Sequence, residues 1–433
     1  MTTGLKKELT LVPLAAIVFF NVSGGPYGIE DTVPAFGPGL TLLLLVLTPL
    51  VWSLPVALVM SELASALPDE GGYVTWTTRA FGRFWGFQVG WWSWIDSFVD
   101  VAVFPALFVE YVRFWYPALT AMERWVLALA FIAVLTGLNL AGVRPVGRAA
   151  VALGIAALAP IALLAVAAIA GPTTAPWKPF IAENQTVGSG LGLGLAVVMW
   201  NYAGWDTPST CLGETRQPER AFRVAQLVAL AATALAYVVP VTLALASSAA
   251  PWTAWKTGAL PTIAEEIGGA WIGHAVAAGA VISTAGLFMS LLLTNSRLPY
   301  VLARDGFLPS GLARVSATTG TPWVAVVVSA IFYSAFAVFS FKELVVLDIW
   351  LYSLSLLVEL AAFLRLRQRE PGLARPWRVP AGRIGAVVVV ALPSALALLA
   401  MATAGWRNTV AGVIAALTGP AAYALWRRPG SRR

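Results

Sequence analysis

About twelve stretches of roughly 20 predominantly apolar residues follow one another along the chain, joined by short connections. Each is long enough to cross a hydrocarbon core about 30 Å thick as an α-helix. Only 11% of the residues are charged, against roughly 25% in soluble domains, so the chain cannot clothe a water-facing surface. A transmembrane β-barrel would alternate polar and apolar residues in segments of about ten, and none occur. The sequence predicts an all-α membrane protein with twelve spans, at 11–35, 39–66, 84–112, 124–142, 148–171, 188–211, 224–248, 271–303, 322–341, 344–365, 384–404 and 408–426. The longest connections are 249–270, with room for a short surface helix, and the Arg- and Pro-rich 366–383.

Of the 28 Lys and Arg, six (Arg113, Arg124, Lys178, Lys256, Lys342 and Arg407) fall in one set of alternate connections and the other 22 in the second set. The positive-inside rule then puts both termini in the cytoplasm, in the plasma or inner membrane of the cell. The same distribution accounts for the net charge of +7 without a nucleic-acid partner. The tail Arg427, Arg428, Arg432 and Arg433 reads as a topology anchor. The apolar run after the basic start continues through Gly24-Gly25-Pro26 into Glu30-Asp31 without a small-x-small cleavage site, so it reads as an uncleaved first span.

Cys211 and His274 stand alone, which excludes an intrachain disulfide and leaves no ligand set for a metal or other cofactor. A nucleophile with a base is equally absent, so an intramembrane enzyme is not expected. No P-loop suggests a nucleotide-driven pump.

Two spans are interrupted near their middles. The first contains Ser23-Gly24-Gly25-Pro26-Tyr27-Gly28, and the sixth contains Asn201-Tyr202-Ala203-Gly204-Trp205-Asp206 with Pro208 close behind. An isolated glycine in a span is ordinarily a packing contact, but two interruptions five spans apart point elsewhere. An odd number of spans turns the second half over, and paired broken helices in inverted halves mark the site of many secondary transporters. Unwound backbone survives in hydrocarbon only where it lines a polar cavity. Pro26 suits the first position of a restarted helix, which would leave the amides from Gly25 to Tyr27 free for an anion such as a substrate carboxylate.

Acids lie inside the spans as well: Glu30, Asp31, Glu62, Asp96, Asp100, Asp206, Asp348 and Glu359. A central Asp costs about 2.5–3.5 kcal/mol on insertion scales, so several of them need a shared compensating environment. Asp96 and Asp100 share one helical face. Asp348, Tyr352, Ser355 and Glu359 form a polar stripe on the tenth span. Glu62, near an inner boundary, reads as the ion-pair partner of a loop Arg, and Asp348 fits an interface or the cavity. With almost no Lys or Arg at that depth, the natural counter-charge is a cationic substrate or a proton. Tyr27, Trp91, Trp94, Tyr202 and Trp205 are placed to hold an ammonium by cation–π contact. The candidate substrate site is Ser23, Gly24, Gly25, Tyr27, Glu30, Asp96, Asp100, Asn201, Tyr202, Gly204, Trp205 and Asp206. Glu30, Asp31 and Asp206 are the proton-coupling candidates.

At these residues the chain resembles the amino acid–polyamine–organocation superfamily of transporters. The resemblance spans nearly the whole length. It rests on the first glycine break, Ser61-Glu62-Leu63 to Pro68, Gly71-Gly72-Tyr73, Phe81-Gly82, Trp85-Gly86, Gly204 to Gly213-Glu214 with Pro218, and Ser296-Arg297 to Arg304-Asp305-Gly306 with Pro309. The pattern is most similar to plant polyamine–proton symporters, through Ser23 to Asp31, Asp100 with Phe104-Pro105, and Trp205-Asp206. It departs from most amino-acid permeases at Pro26, and its fifth span lacks the Lys that some relatives use as a fixed cation. The resemblance implies a leucine-transporter-type fold: one five-span repeat over 11–171, an inverted second over 188–365, and two accessory spans over 384–426. It also implies alternating access and proton coupling. Ser283 and Thr284 suit a sodium site against first-span carbonyls and equally suit helix packing. The expected activity is carriage of a polyamine or other organic cation, with amino-acid carriage through the Gly24–Tyr27 amides as the alternative. A channel would require a continuous polar pore, whereas the polar residues here concentrate near the two breaks.

Overall fold

A computed structural model describes residues 5–169, 171, 174–182, 193–248, 251–338 and 341–426. The Arg427–Arg433 tail, the start of the sixth span and the side chain of Lys342 lie outside the described residues. In chain order the helices are α1 (Leu11–Val22), α2 (Thr32–Phe36), α3 (Pro38–Ala66), α4 (Tyr73–Phe81), α5 (Arg83–Val112), α6 (Ala121–Leu140), α7 (Val143–Ile169) and α8 (Leu193–Trp200). A 3-10 segment, Thr207–Glu214, leads to α9 (Pro218–Ser247), α10 (Leu260–Gly268), α11 (Ala270–Asn295), α12 (Arg297–Arg304), α13 (Trp323–Phe336), α14 (Phe341–Arg369), α15 (Gly382–Thr403) and α16 (Trp406–Trp426). Among the described residues the β-type pairing is one bridge, Leu9 to Thr215.

Among the described residues, eight helical segments are long and apolar enough to cross a membrane: α3, α6, α7, α9, α11 continued by α12, α14 from Asp348, α15 and α16. The helices α1 and α13 are shorter and apolar. At 30 residues, α5 is about 45 Å long, but it carries Gln88, Asp96, Asp100 and Glu110. Val134, Ile155 and Leu425 are 71%, 70% and 82% exposed, and so much bare aliphatic surface on several helices fits a hydrocarbon surround. By contrast, α11 is buried along most of its length and packs against α1, α5 and α7. The chain is an integral membrane protein whose polar residues turn inward.

Three local expectations are corrected. The first span does not restart at Pro26: residues 23–31 stay irregular, and helix returns only at α2. Pro34 and Gly37 confine that return to one turn and a half. After the sixth-span break the chain continues as a 3-10 segment rather than an α-helix. The connection 67–83 holds α4, whose Trp76 Nε1 donates to the Leu67 carbonyl at 2.8 Å. The 249–270 connection holds a short helix as expected, α10, exposed at Thr262, Glu265 and Glu266 and packed on α11 through Leu260, Ile263 and Ala264.

Candidate functional site

The two breaks meet. Gly204, at φ +91°, lies so close to the end of α1 that a β-carbon there would sit 2.4 Å from the Asn21 carbonyl oxygen. Each break follows an asparagine whose side-chain amide donates to the carbonyl four residues back, Asn21 to Ile17 and Asn201 to Val197, both at 2.8 Å. The stretches Asn21-Val22-Ser23-Gly24 and Asn201-Tyr202-Ala203-Gly204 repeat this arrangement in sequence, a signal that a search for glycine breaks alone overlooks.

Protein groups satisfy much of the unwound backbone. Ser283 Oγ donates to Gly24 O at 2.7 Å. The Tyr202 carbonyl accepts from Trp205 Nε1 at 2.8 Å and from Ser53 Oγ at 3.2 Å, the latter carried on a π-helical turn, Pro49–Ser53, within α3. Gln226 Nε2 donates to Trp205 O. The amides expected to await an anion are largely occupied. Gly25 N–H donates to Ser23 Oγ, Tyr27 N–H to Gly25 O, and Gly28 N–H to Glu30 and to the Tyr111 hydroxyl.

Between the breaks lies a cavity lined by Asn21, Ser23, Gly24, Tyr27, Asp96, Asp100, Asn201, Gly204 and Asp206, all but Asn21 from the candidate set. Asp348 and Tyr352 of α14, Tyr73 of α4, Ser93 and Ser97 of α5, and Tyr237 of α9 complete its polar wall. Phe104 and Trp200, stacked at 5.7 Å, close one side. Four of the lining side chains are carboxylic acids, and none is Lys, Arg or His. Asp96 of α5 and Asp348 of α14 both line the cavity, and one oxygen of each has no hydrogen-bond partner among the described residues. Trp200 Nε1 donates to Asp100 at 3.2 Å. Tyr352 accepts from Gly204 N–H at 3.1 Å and donates to Asp206 at 2.5 Å.

Other candidates lie elsewhere. Glu30 turns away from the cavity: Tyr111 OH donates to it at 2.9 Å, as do the Gly28 and Leu260 amides. Asp31 takes the Thr257 hydroxyl and amide. Once residues 23–31 fail to form helix, both acids fall toward α10 and its approach instead of along a helical face. Gly25, Tyr202 and Trp205 are buried outside the lining; Tyr202 OH donates to Leu45 O, and Trp205 Nε1 bonds within its own break. Trp91 and Trp94 also lie off the cavity, and Trp200 stands there instead. Ser283 reaches the first break, while Thr284 donates to Val281 of its own helix. Glu62 holds Arg367, Arg375 and the Val379 amide, as an ion-pair partner of the last long connection. Asp348 was legible only as one of two options, and Tyr73 sits in a helix not anticipated.

Such an architecture, a polytopic helical bundle enclosing an acidic pocket at two apposed helix breaks, is that of a membrane transport protein. The chain belongs to the amino acid permease family, whose sequence pattern matches residues 9–418. It is 33% identical to the polyamine transporter RMV1 of Arabidopsis thaliana over 95% of this chain and 84% of that one. It is 34% identical to the polyamine transporter PUT1 of Oryza sativa subsp. japonica over 95% and 77%. Identity to the branched-chain amino acid permease BcaP of Bacillus subtilis (strain 168) is 24%, over 98% and 93%. The chain is therefore a transporter and not an enzyme.

Proposed function

We propose that this transporter carries a polyamine or similar organic dication across the cell membrane by alternating access, with proton coupling. One observation carries the reading: four carboxylic acids line the central cavity, with no basic side chain among its lining residues. Buried acids without counter-charge are costly, and a multiply charged amine supplies what the pocket lacks. Tyr27, Tyr73, Tyr237 and Trp200 line the same cavity and supply aromatic rings for the methylene stem and the ammonium groups. The substrate site comprises Ser23, Gly24, Tyr27, Asp96, Asp100, Asn201, Gly204, Asp206, Asp348 and Tyr352. An α-carboxylate, as in the amino-acid alternative, would need the first-break amides, and most of those already have partners. The polyamine transporters among the relatives support the same choice.

The fold reading is twelve spans in two inverted five-span repeats, 11–171 and 188–365, plus 384–426, with both termini cytoplasmic. The matched asparagine caps at Asn21 and Asn201 support the repeat. Liposome uptake of labelled putrescine, in competition with spermidine, arginine and alanine, tests the substrate. Dominant competition by alanine overturns the dication.

A further inference from the structure

Glu359 lies on α14 seven residues beyond Tyr352, about two turns from the cavity toward the Arg365–Arg369 end of the helix. It is 1% exposed, and neither carboxyl oxygen has a hydrogen-bond partner among the described residues. It is not part of the cavity lining. Its helix packs against α4, which brings Tyr73 within its electrostatic reach, and the sixth-span break brings Asp206. The other ionisable groups on the packed elements are engaged or remote. Glu62 of α3 holds Arg367 and Arg375, Arg79 of α4 pairs with Glu370, Arg83 of α5 donates to the Asp305 carbonyl and Glu110 pairs with Arg113, Asp96 and Asp100 of α5 line the cavity, and Arg383 of α15 and Arg407 of α16 are exposed. Thr77 of α4 and Ser355 of α14, each one turn along from Tyr73 and Tyr352, bury hydroxyls that also lack partners.

We infer that Glu359 is the proton-carrying residue of the transport cycle, a role that rests on the carrier reading above. An ionised carboxylate in that position would have no compensating group, so the closed, dry form of the protein holds Glu359 as the neutral acid. Closure around a substrate thus requires two neutralisations. The ammonium groups satisfy the acids of the cavity, and one proton sits on a Glu359 carboxyl oxygen. Once the seam between α4 and α14 admits water, that proton leaves to water and the carboxylate is hydrated. The departing proton and the departing amine share one opening event, and the movement is symport because the empty carrier turns back with water still reaching the Glu359 carboxylate, so that the proton is not carried out again. The hydroxyls of Tyr352, Ser355, Tyr73 and Thr77 line the route by which water reaches the acid.

The test uses the full chain in liposomes with labelled spermidine as probe and a pH dye trapped inside. Wild type is expected to accumulate spermidine under an inward proton gradient and to acidify the lumen as it does so. Glu359→Gln keeps shape and neutrality, so spermidine counterflow stays within about threefold while gradient-driven accumulation and acidification fall at least tenfold. Glu359→Asp recovers part of both. Unchanged accumulation in Glu359→Gln overturns the proposal. So does equal loss of counterflow and accumulation in a monodisperse protein, which would make the residue a binding or structural group. If wild type moves alanine rather than spermidine, the substrate reading fails, and the same comparison with alanine still decides the role of Glu359. If wild-type uptake of both ignores the proton gradient, the proposal falls.

Discussion

Gly204 faces the carbonyl of Asn21 with no room for a side chain between them. The contact joins the two irregular segments, and both the positive φ of Gly204 and the 2.4 Å that a β-carbon would have to the Asn21 oxygen demand glycine. Gly204→Ala must therefore shift one break against the other. Strain of this kind costs about 1–3 kcal/mol. That is small enough for insertion and folding, but it falls directly on the cavity wall. The expected outcome is a variant that purifies at near-normal yield and transports at least tenfold more slowly. Normal transport by Gly204→Ala would mean that the breaks move apart without functional consequence.

Sodium has little to hold at the first break. Ser283 Oγ donates directly to the Gly24 carbonyl at 2.7 Å, a bond that a sodium ion held between the two oxygens would have to replace, and Thr284 donates to Val281 of its own helix. Replacing external sodium by choline is expected to leave initial uptake rates unchanged within about 20%, an order-of-magnitude tolerance consistent with no charge-assisted contact being lost. A severalfold fall would restore the sodium site.

The span pattern and both interruptions were legible because membrane insertion forces a strong local signal: long apolar runs, and glycine with proline where a run yields. Asp96, Asp100 and Asp206 could be placed near the cavity for the same reason, since each sits on a span at about the depth of a break. Glu30 and Asp31 could not be placed, because their partners come from afar. Tyr111 is 81 positions along the chain from Glu30, and Thr257 lies 226 positions from Asp31. The helix α4 was hidden by its brevity, nine residues in a connection. Its burial depends on α5 and α14 closing over it, and no local window contains that information.

Arg297 and Glu214 form a bidentate ion pair at 2.7 and 2.9 Å, exposed by 0% and 1%. Arg297 Nη1 also donates to Leu293 O and Ser296 Oγ. The pair ties the 3-10 segment after the second break to the start of α12. Breaking such a pair from one side leaves a buried charge uncompensated, at about 3–5 kcal/mol. Glu214→Gln and Arg297→Gln are each expected to lower the unfolding temperature of the purified protein and reduce its yield. The double variant removes both charges of the pair and recovers part of the loss, the remainder reflecting the buried Glu70 beside the pair, which keeps no Arg297 counter-charge. Additive damage in the double variant would show that the two side chains act independently.

Asp100 separates the two substrate readings most cleanly. Its carboxylate lines the cavity and accepts one hydrogen bond, from Trp200 Nε1. Asn at this position keeps the size and an acceptor oxygen for the indole, so the stacked Phe104–Trp200 wall can stay in place. Only the negative charge goes. For a dication bound among four acids, losing one charge-assisted contact of about 1.5–3 kcal/mol reduces putrescine and spermidine uptake tenfold or more. A neutral amino acid gains nothing from that charge, and its transport would persist. Uptake assays on Asp100→Asn with spermidine and with alanine therefore give opposite answers under the two readings. Retained spermidine transport together with lost alanine transport would assign the pocket to amino acids.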